Sequence, residues 1–167
     1  MSGPGRRLRL AFVVQRYGPE IDGGAEYECR RVAEALAPYH DIEVLTTCAR
    51  DYLTWRNVYP PGVETVNGVR MRRFAVDRPR RVRAFGRYAD LLYPTPHTLF
   101  DEPACVRQQG PLTPLLVEWP RAHAADHDAF VFYTYLYLPT TLWLPLVADP
   151  AVPVPTLHRV IDLAAPP

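Results

Sequence analysis

The stretch Leu8-Arg9-Leu10-Ala11-Phe12-Val13-Val14-Gln15-Arg16-Tyr17-Gly18-Pro19-Glu20-Ile21-Asp22-Gly23-Gly24-Ala25-Glu26 decides how this chain is read. Its first half lacks the polar alternation of a strand with one wet face, and so predicts a parallel strand buried on both sides. From Ala25 onward, Ala25, Cys29, Val32, Ala33 and Leu36 recur at the spacing of one buried helical face. A strand, a glycine-containing loop and a helix form the first half of a βαβ unit. Open α/β sheets bind ligands in the loops at the carboxyl ends of such strands.

Two readings of that loop stand. Glycines at a helix start let backbone N–H groups approach an anion with no Cβ in the way. Alternatively, Gly23 and Gly24 merely turn the chain from strand to helix. The spacing is neither G-x-G-x-x-G nor a P-loop, so it supports neither a dinucleotide fingerprint nor NTP hydrolysis. Glu26 and Glu28 in the first helical turn suit the helix dipole, but would oppose a phosphate if they pointed at it.

Outward from this unit, the pattern continues as alternating strands and helices, an α/β fold. Ile42–Thr46 reads as a strand, and Asn67-Gly68 between two β-rich segments signals a two-residue hairpin within 63–76. A helix is expected over 80–93, with Val82, Phe85, Ala89 and Leu92 on one face. Five prolines between 93 and 114 predict an irregular loop. A helix is expected over 115–125, bent or ended at Pro120. Residues 129–148 carry no charge over a span near transmembrane length, but Pro139, Pro145 and three threonines interrupt it. They read instead as a strand over 129–133, a loop and a helix over 140–147. A last strand is expected over 152–157.

Composition agrees with one globular domain over 1–167. The chain is 48% hydrophobic and 22% charged, and 167 residues can bury roughly 70% of their unfolded surface. A formal charge of +1 gives no reason to expect nucleic acid as a partner. All 19 basic residues are arginine, and each remains a candidate bidentate phosphate ligand. Cys29, Cys48 and Cys105 are odd in number and form no C-x-x-C, which favours a reducing cytosol over secretion.

Several segments together resemble the amino-terminal half of a family-4 glycosyltransferase. They are Tyr17, Gly23-Gly24-Ala25-Glu26, the run from His40 to Thr46, the run from Asp128 to Tyr137, and Val154-Pro155-Thr156-Leu157-His158. Their order and spacing carry the resemblance more than any one of them. It implies the GT-B architecture: a Rossmann-like, open, mainly parallel sheet with helices on both faces, here with a hairpin insertion at Asn67-Gly68. It also implies retaining transfer from a nucleotide-diphosphate sugar, the co-substrate, to an acceptor hydroxyl, with no metal and no further cofactor. The Gly23 and Gly24 amides would meet the donor phosphates. Tyr17, Tyr135 and Tyr137 would line the acceptor side of the cleft, and His158 would act on the acceptor. The donor-binding half lies outside this chain, so the fragment alone is expected to be inactive, with a separate donor-domain subunit as one way to complete it. The sequence after His158 departs from the family, as expected of a truncation or a frameshift there. A non-catalytic binding subunit or a remnant of such an enzyme is the alternative.

Other constellations carry less. Asp126-His127-Asp128 is a D-x-D, a metal-binding pattern elsewhere, but it precedes a strand and so lies at the unproductive end. His123 and His127 lack a third ligand for zinc. Arginines 70, 72, 73, 78, 80, 81, 83 and 87 form a basic band. The band is read as a solvated face balanced by acids elsewhere, with peripheral contact at the inner face of a membrane, suited to a lipid-linked or carbohydrate acceptor, as the competing reading.

Overall fold

The computed structural model describes residues 6–92, 94–96, 98, 101–134, 137–147 and 154–155. Six strands form one mixed sheet: β1 (Arg9–Val13), β2 (Asp41–Thr47), β3 (Gly62–Val66), β4 (Val69–Phe74), β5 (Ala129–Phe132) and β6 (Val154–Pro155). Their order is β3-β4-β2-β1-β5-β6. All pairings are parallel except the β3–β4 hairpin. The α-helices among the described residues are α1 (Gly24–Leu36), α2 (Val82–Leu92), α3 (Asp101–Gln109), α4 (Pro114–His123) and α5 (Leu138–Val147).

The apolar run behaves as its pattern requires. β1 pairs with β2 on one side and β5 on the other, with Phe12 opposite both Val44 and Val131. Ala11 through Val14 are buried. Alternate residues serve two cores. Phe12 and Val14 join Cys29 and Ala33 of α1, with Val44 and Met71. Ala11 and Val13 join Leu116 and Trp119 of α4, Phe130 and Phe132 of β5, and Trp143 of α5. The sheet is therefore covered by α1 on one face and by α4 and α5 on the other. The residues that α1 buries, Cys29 and Ala33, are small. Val32, expected inside, is 37% exposed.

Asn67 and Gly68 both take positive φ, at 49° and 80°, as a type I′ hairpin turn requires. The uncharged run resolves into β5 and α5, and among the described residues no helix is long and apolar enough to cross a membrane.

The proline-rich loop over 93–114 is a correction. It contains α3. Pro103 falls at the third helical position, where no N–H is needed by the helix ladder. Asp101 and Glu102 occupy the first turn, and Asp101 accepts hydrogen bonds from the Thr98 N–H and hydroxyl at 2.8 and 2.7 Å. α4 also runs through Pro120 to His123. Of the last expected strand only Val154 and Pro155 are described, paired with Val131 and Phe132.

The amino edge of the sheet is held by ion pairs. Asp128 accepts the Arg9 N–H at 2.8 Å and pairs with Arg6, so the D-x-D fastens β5 to β1. Glu43 on β2 pairs with Arg72 at 2.9 Å and Arg70 at 3.3 Å, and faces His127 at 3.7 Å. Burial pushes the Glu43 carboxyl up, but His127 and the two arginines outweigh it and hold it below its ordinary value of 4.5.

Two predictions follow from this packing. Met71→Ala should cost about 2–5 kcal/mol by urea denaturation, whereas Leu115→Ala, at an exposed site, should stay within about 0.5 kcal/mol. Similar costs at both positions would contradict the burial of the α1 face. Because its folded pKa is depressed, Glu43 stabilises the native state above about pH 4.5 and loses that contribution as pH falls through the lower folded value. Wild type should therefore exceed Glu43→Gln in stability at pH 7, with the gap closing under acid. A gap independent of pH would refute the assignment.

Candidate functional site

β1 neighbours both β2 and β5, so the chain leaves its carboxyl end where the sheet order reverses. That is the crevice in which open α/β sheets seat ligands. Among the described residues, segments 14–23, 48–61 and 75–81 meet at this edge, with Tyr133, Thr134 and Tyr137.

Gln15 ties three of the strand ends together. Its side-chain Oε1 accepts the Thr134 hydroxyl at 2.6 Å and its Nε2 donates to the Tyr133 carbonyl at 3.4 Å. Its own carbonyl accepts the Thr47 hydroxyl at 2.6 Å. Thr134 has φ 71°, an outlier for a β-branched residue. Two side-chain bonds hold it: the one to Gln15, and one its carbonyl accepts from the Thr140 hydroxyl at 2.8 Å. Trp55, at φ 56°, is the second such outlier on this edge. Backbone strain of this kind gathers at functional sites. Its indole N–H donates to the Gln109 carbonyl at 2.7 Å, and its ring meets Tyr137 edge-on at 5.2 Å.

The glycine loop is closed over by a salt bridge. Arg16 lies 2.6 Å from Glu26, with side chains only 9% and 11% exposed. Arg16 also donates to the Arg50 carbonyl at 3.3 Å and lies over the Tyr52 ring. Gly23 caps α1 with extended backbone and no side-chain bond. A Cβ there would overlap the Glu26 carboxylate and stand 3.0 Å from Arg16 Nη2, whereas one at Gly24 would meet nothing within 4 Å. The absence of a Cβ at Gly23 thus leaves room for the ion pair folded back upon it. Gly24 is open.

The tyrosines separate. Tyr17 is 1% exposed and belongs to the α1-side core. Its hydroxyl has no hydrogen-bond partner, and burial pushes the phenol far above its usual range. The ring is therefore core rather than cleft wall. Tyr137 is at the edge, half-buried against Trp55, with burial raising its phenol. Tyr135 and His158 lie outside the described residues.

Several acid–base groups of this edge are engaged within the fold. The described histidines His40, His123 and His127 sit at or before the amino ends of β2 and β5. Glu26 is committed to Arg16. Asp51 accepts from the Leu53 and Thr54 N–H groups and the Thr54 hydroxyl. Burial raises its carboxyl, and these bonds, with Arg16, outweigh that to hold it below its usual range. Glu20 is bonded to the Tyr59 hydroxyl. Among the described residues no group of three His, Cys, Asp or Glu could hold a metal ion. What the edge offers is aromatic faces and arginine: it is equipped to bind.

Sequence reasoning reached this edge through Gly23, Gly24 and Tyr137 but missed Gln15, Thr134 and Trp55. The only available signal was position, since Gln15 immediately follows an apolar run. No family model matches the chain, and no curated protein or solved structure matches it.

Gly23→Ala should destabilise the fold by about 1–3 kcal/mol through overpacking and the displaced ion pair. Gly24→Ala should stabilise it by about 0.4–1 kcal/mol. Urea denaturation of the two variants checks the pair; matching signs would show that the salt bridge does not rest on Gly23.

Proposed function

We propose that the chain is the amino-terminal, acceptor-side half of a family-4-like glycosyltransferase, a Rossmann-like domain of the GT-B type. The observation that carries this reading is topological. The parallel order β4-β2-β1-β5 brings the Gly23-Gly24 loop and the segment ending at Tyr137 to the same carboxyl edge. These are two of the segments whose order in the sequence resembles that family.

In this reading the open Gly24 amide, at the amino terminus of α1, faces the donor's diphosphate across a cleft completed by a second domain. The helix dipole favours charge developing there, and one such donor is typically worth about 3–4 kcal/mol of barrier. Tyr137 and Trp55 wall the acceptor side, with His158 placed on the acceptor by the resemblance. Glu26 and Asp51 of this edge are engaged within the fold, by Arg16 and by the turn after Asp51, which suits a half-site whose chemistry needs the donor-bearing half. The protein would work in the cytoplasm, on a carbohydrate or lipid-linked acceptor.

A second reading, a non-catalytic binding domain, is favoured by the Arg16–Glu26 pair. A carboxylate folded onto Gly23 occupies part of the ground a phosphate would need.

The purified chain, offered a panel of nucleotide sugars with lipid and carbohydrate acceptors, should show no turnover. The expected complement is a donor-binding domain, encoded downstream or co-purifying, that restores transfer when combined with it. Turnover by the chain alone would overturn the half-site reading. A complemented assembly that binds but never transfers would favour the binding domain.

A further inference from the structure

The same edge holds a cavity of about 630 Å³, lined from the loops after β2 and β4 and from α2, α3 and α5. Arg78, Arg80 and Arg81 reach it from the loop after β4, and Arg107 from the last turn of α3. Trp55, Phe85 and Leu138 supply apolar wall, and no Asp or Glu lines it.

This is more than an arginine-rich composition. The arginines of β4 have carboxylate partners: Arg70 and Arg72 share Glu43, and Arg73 pairs with Glu64 at 2.9 Å. Those around the cavity are paired weakly or not at all. Arg78 meets only Asp77, at 3.6 Å with both side chains over half exposed. Among the described residues Arg81 and Arg107 make no ion pair. Arg80 is set between the Trp55 and Phe85 rings, 5.1 and 4.9 Å from their centroids, and donates to the Gln109 carbonyl at 2.6 Å. Burial works against its charge, and Tyr137 and the Asp51 carboxylate support it without an ion-pair contact. A partly desolvated cation with no carboxylate in contact is costly to hold, and an anion in the cavity would offset that cost.

We infer that this cavity is a binding site for a phosphate or diphosphate ester, its anionic group held by Arg78, Arg80, Arg81 and Arg107 and its less polar body against Trp55, Phe85 and Leu138. Four guanidinium groups from two elements outnumber the charge of a single carboxylate. Their planar forks match the several acceptor oxygens of phosphate. The volume lies within the range of small-molecule sites. The site stands independently of sugar transfer.

The test is calorimetric titration of the full chain with inorganic pyrophosphate at low salt. Wild type should bind saturably at one site. The double variant Arg81→Gln/Arg107→Gln should bind at least tenfold more weakly. Arg31→Gln/Arg121→Gln, which removes the same charge elsewhere, should bind like wild type, with thermal melts showing all three folded. No saturable binding by folded wild type, or equal weakening in both double variants, would overturn the site. Sedimentation with phosphatidylcholine vesicles containing phosphatidate then separates the two sources of such a group. Retention that pyrophosphate abolishes identifies a lipid headgroup, and pyrophosphate binding without retention identifies a soluble ester.

Discussion

The Gln15 side chain is the constraint on which the ligand-facing edge depends. It is 1% exposed and lies where β1 ends between β2 and β5. A buried amide left unpaired would cost about 1–3 kcal/mol, so this position is tolerable only if its partners are exact in place. They are Thr134 and Tyr133, with Thr47 on the adjacent carbonyl. The same bonds fix Thr134 in a backbone region that β-branched residues avoid. The turn from β5 toward α5, and with it Tyr137, is aimed by this polar cluster rather than by the apolar cores on either side.

How much of this was legible in the sequence depended on what kind of force was involved. β1, α1 and the Asn67-Gly68 hairpin were readable because hydrophobic period and turn chemistry are local, and here the tertiary structure agrees with them. α3 was not, because prolines were counted without regard to position: Pro103 breaks a helix interior but not a first turn. Within the site, Gly23 and Gly24 were visible as glycines. Their difference was not, because it is made by Glu26 reaching back over one and leaving the other open. Gln15 and Trp55 were hidden for a related reason. Their importance lies in partners more than 50 residues away, Thr134 and Gln109.

The two edges of the sheet divide the polar residues between them. At the amino edge, carboxylates are matched to cations: Asp128 with Arg6, Asp41 with Arg7, and Glu43 with Arg70 and Arg72. The histidines there are also bonded into the fold, His123 to the Trp119 carbonyl and His127 to that of His123. These groups complete the structure. At the carboxyl edge Glu26, Asp51 and Glu20 are engaged locally, by Arg16, by the turn after Asp51 and by Tyr59. Arg80, Arg81 and Arg107 make no ion pair among the described residues. Within the basic band seen in the sequence, the arginines of β4 are thus neutralised, and Arg80 and Arg81 are presented at the edge.

Their presence at the edge has a further physical consequence because the cations are all arginine. A lysine in a partly desolvated position can shed its proton and so escape the cost of burial. Arginine in a protein stays charged, and can only be compensated by aromatic faces, carbonyls or an anion. Arg80 already uses the first two, with Trp55 and Phe85 about its guanidinium and Gln109 accepting its Nε–H. Aromatic faces and one carbonyl soften the field without cancelling the charge. With Arg81 and Arg107 beside it and no carboxylate in the lining, the cavity wall keeps its positive charges wherever arginine stays protonated. Titration of its own cations cannot satisfy it. An anion from outside the chain can.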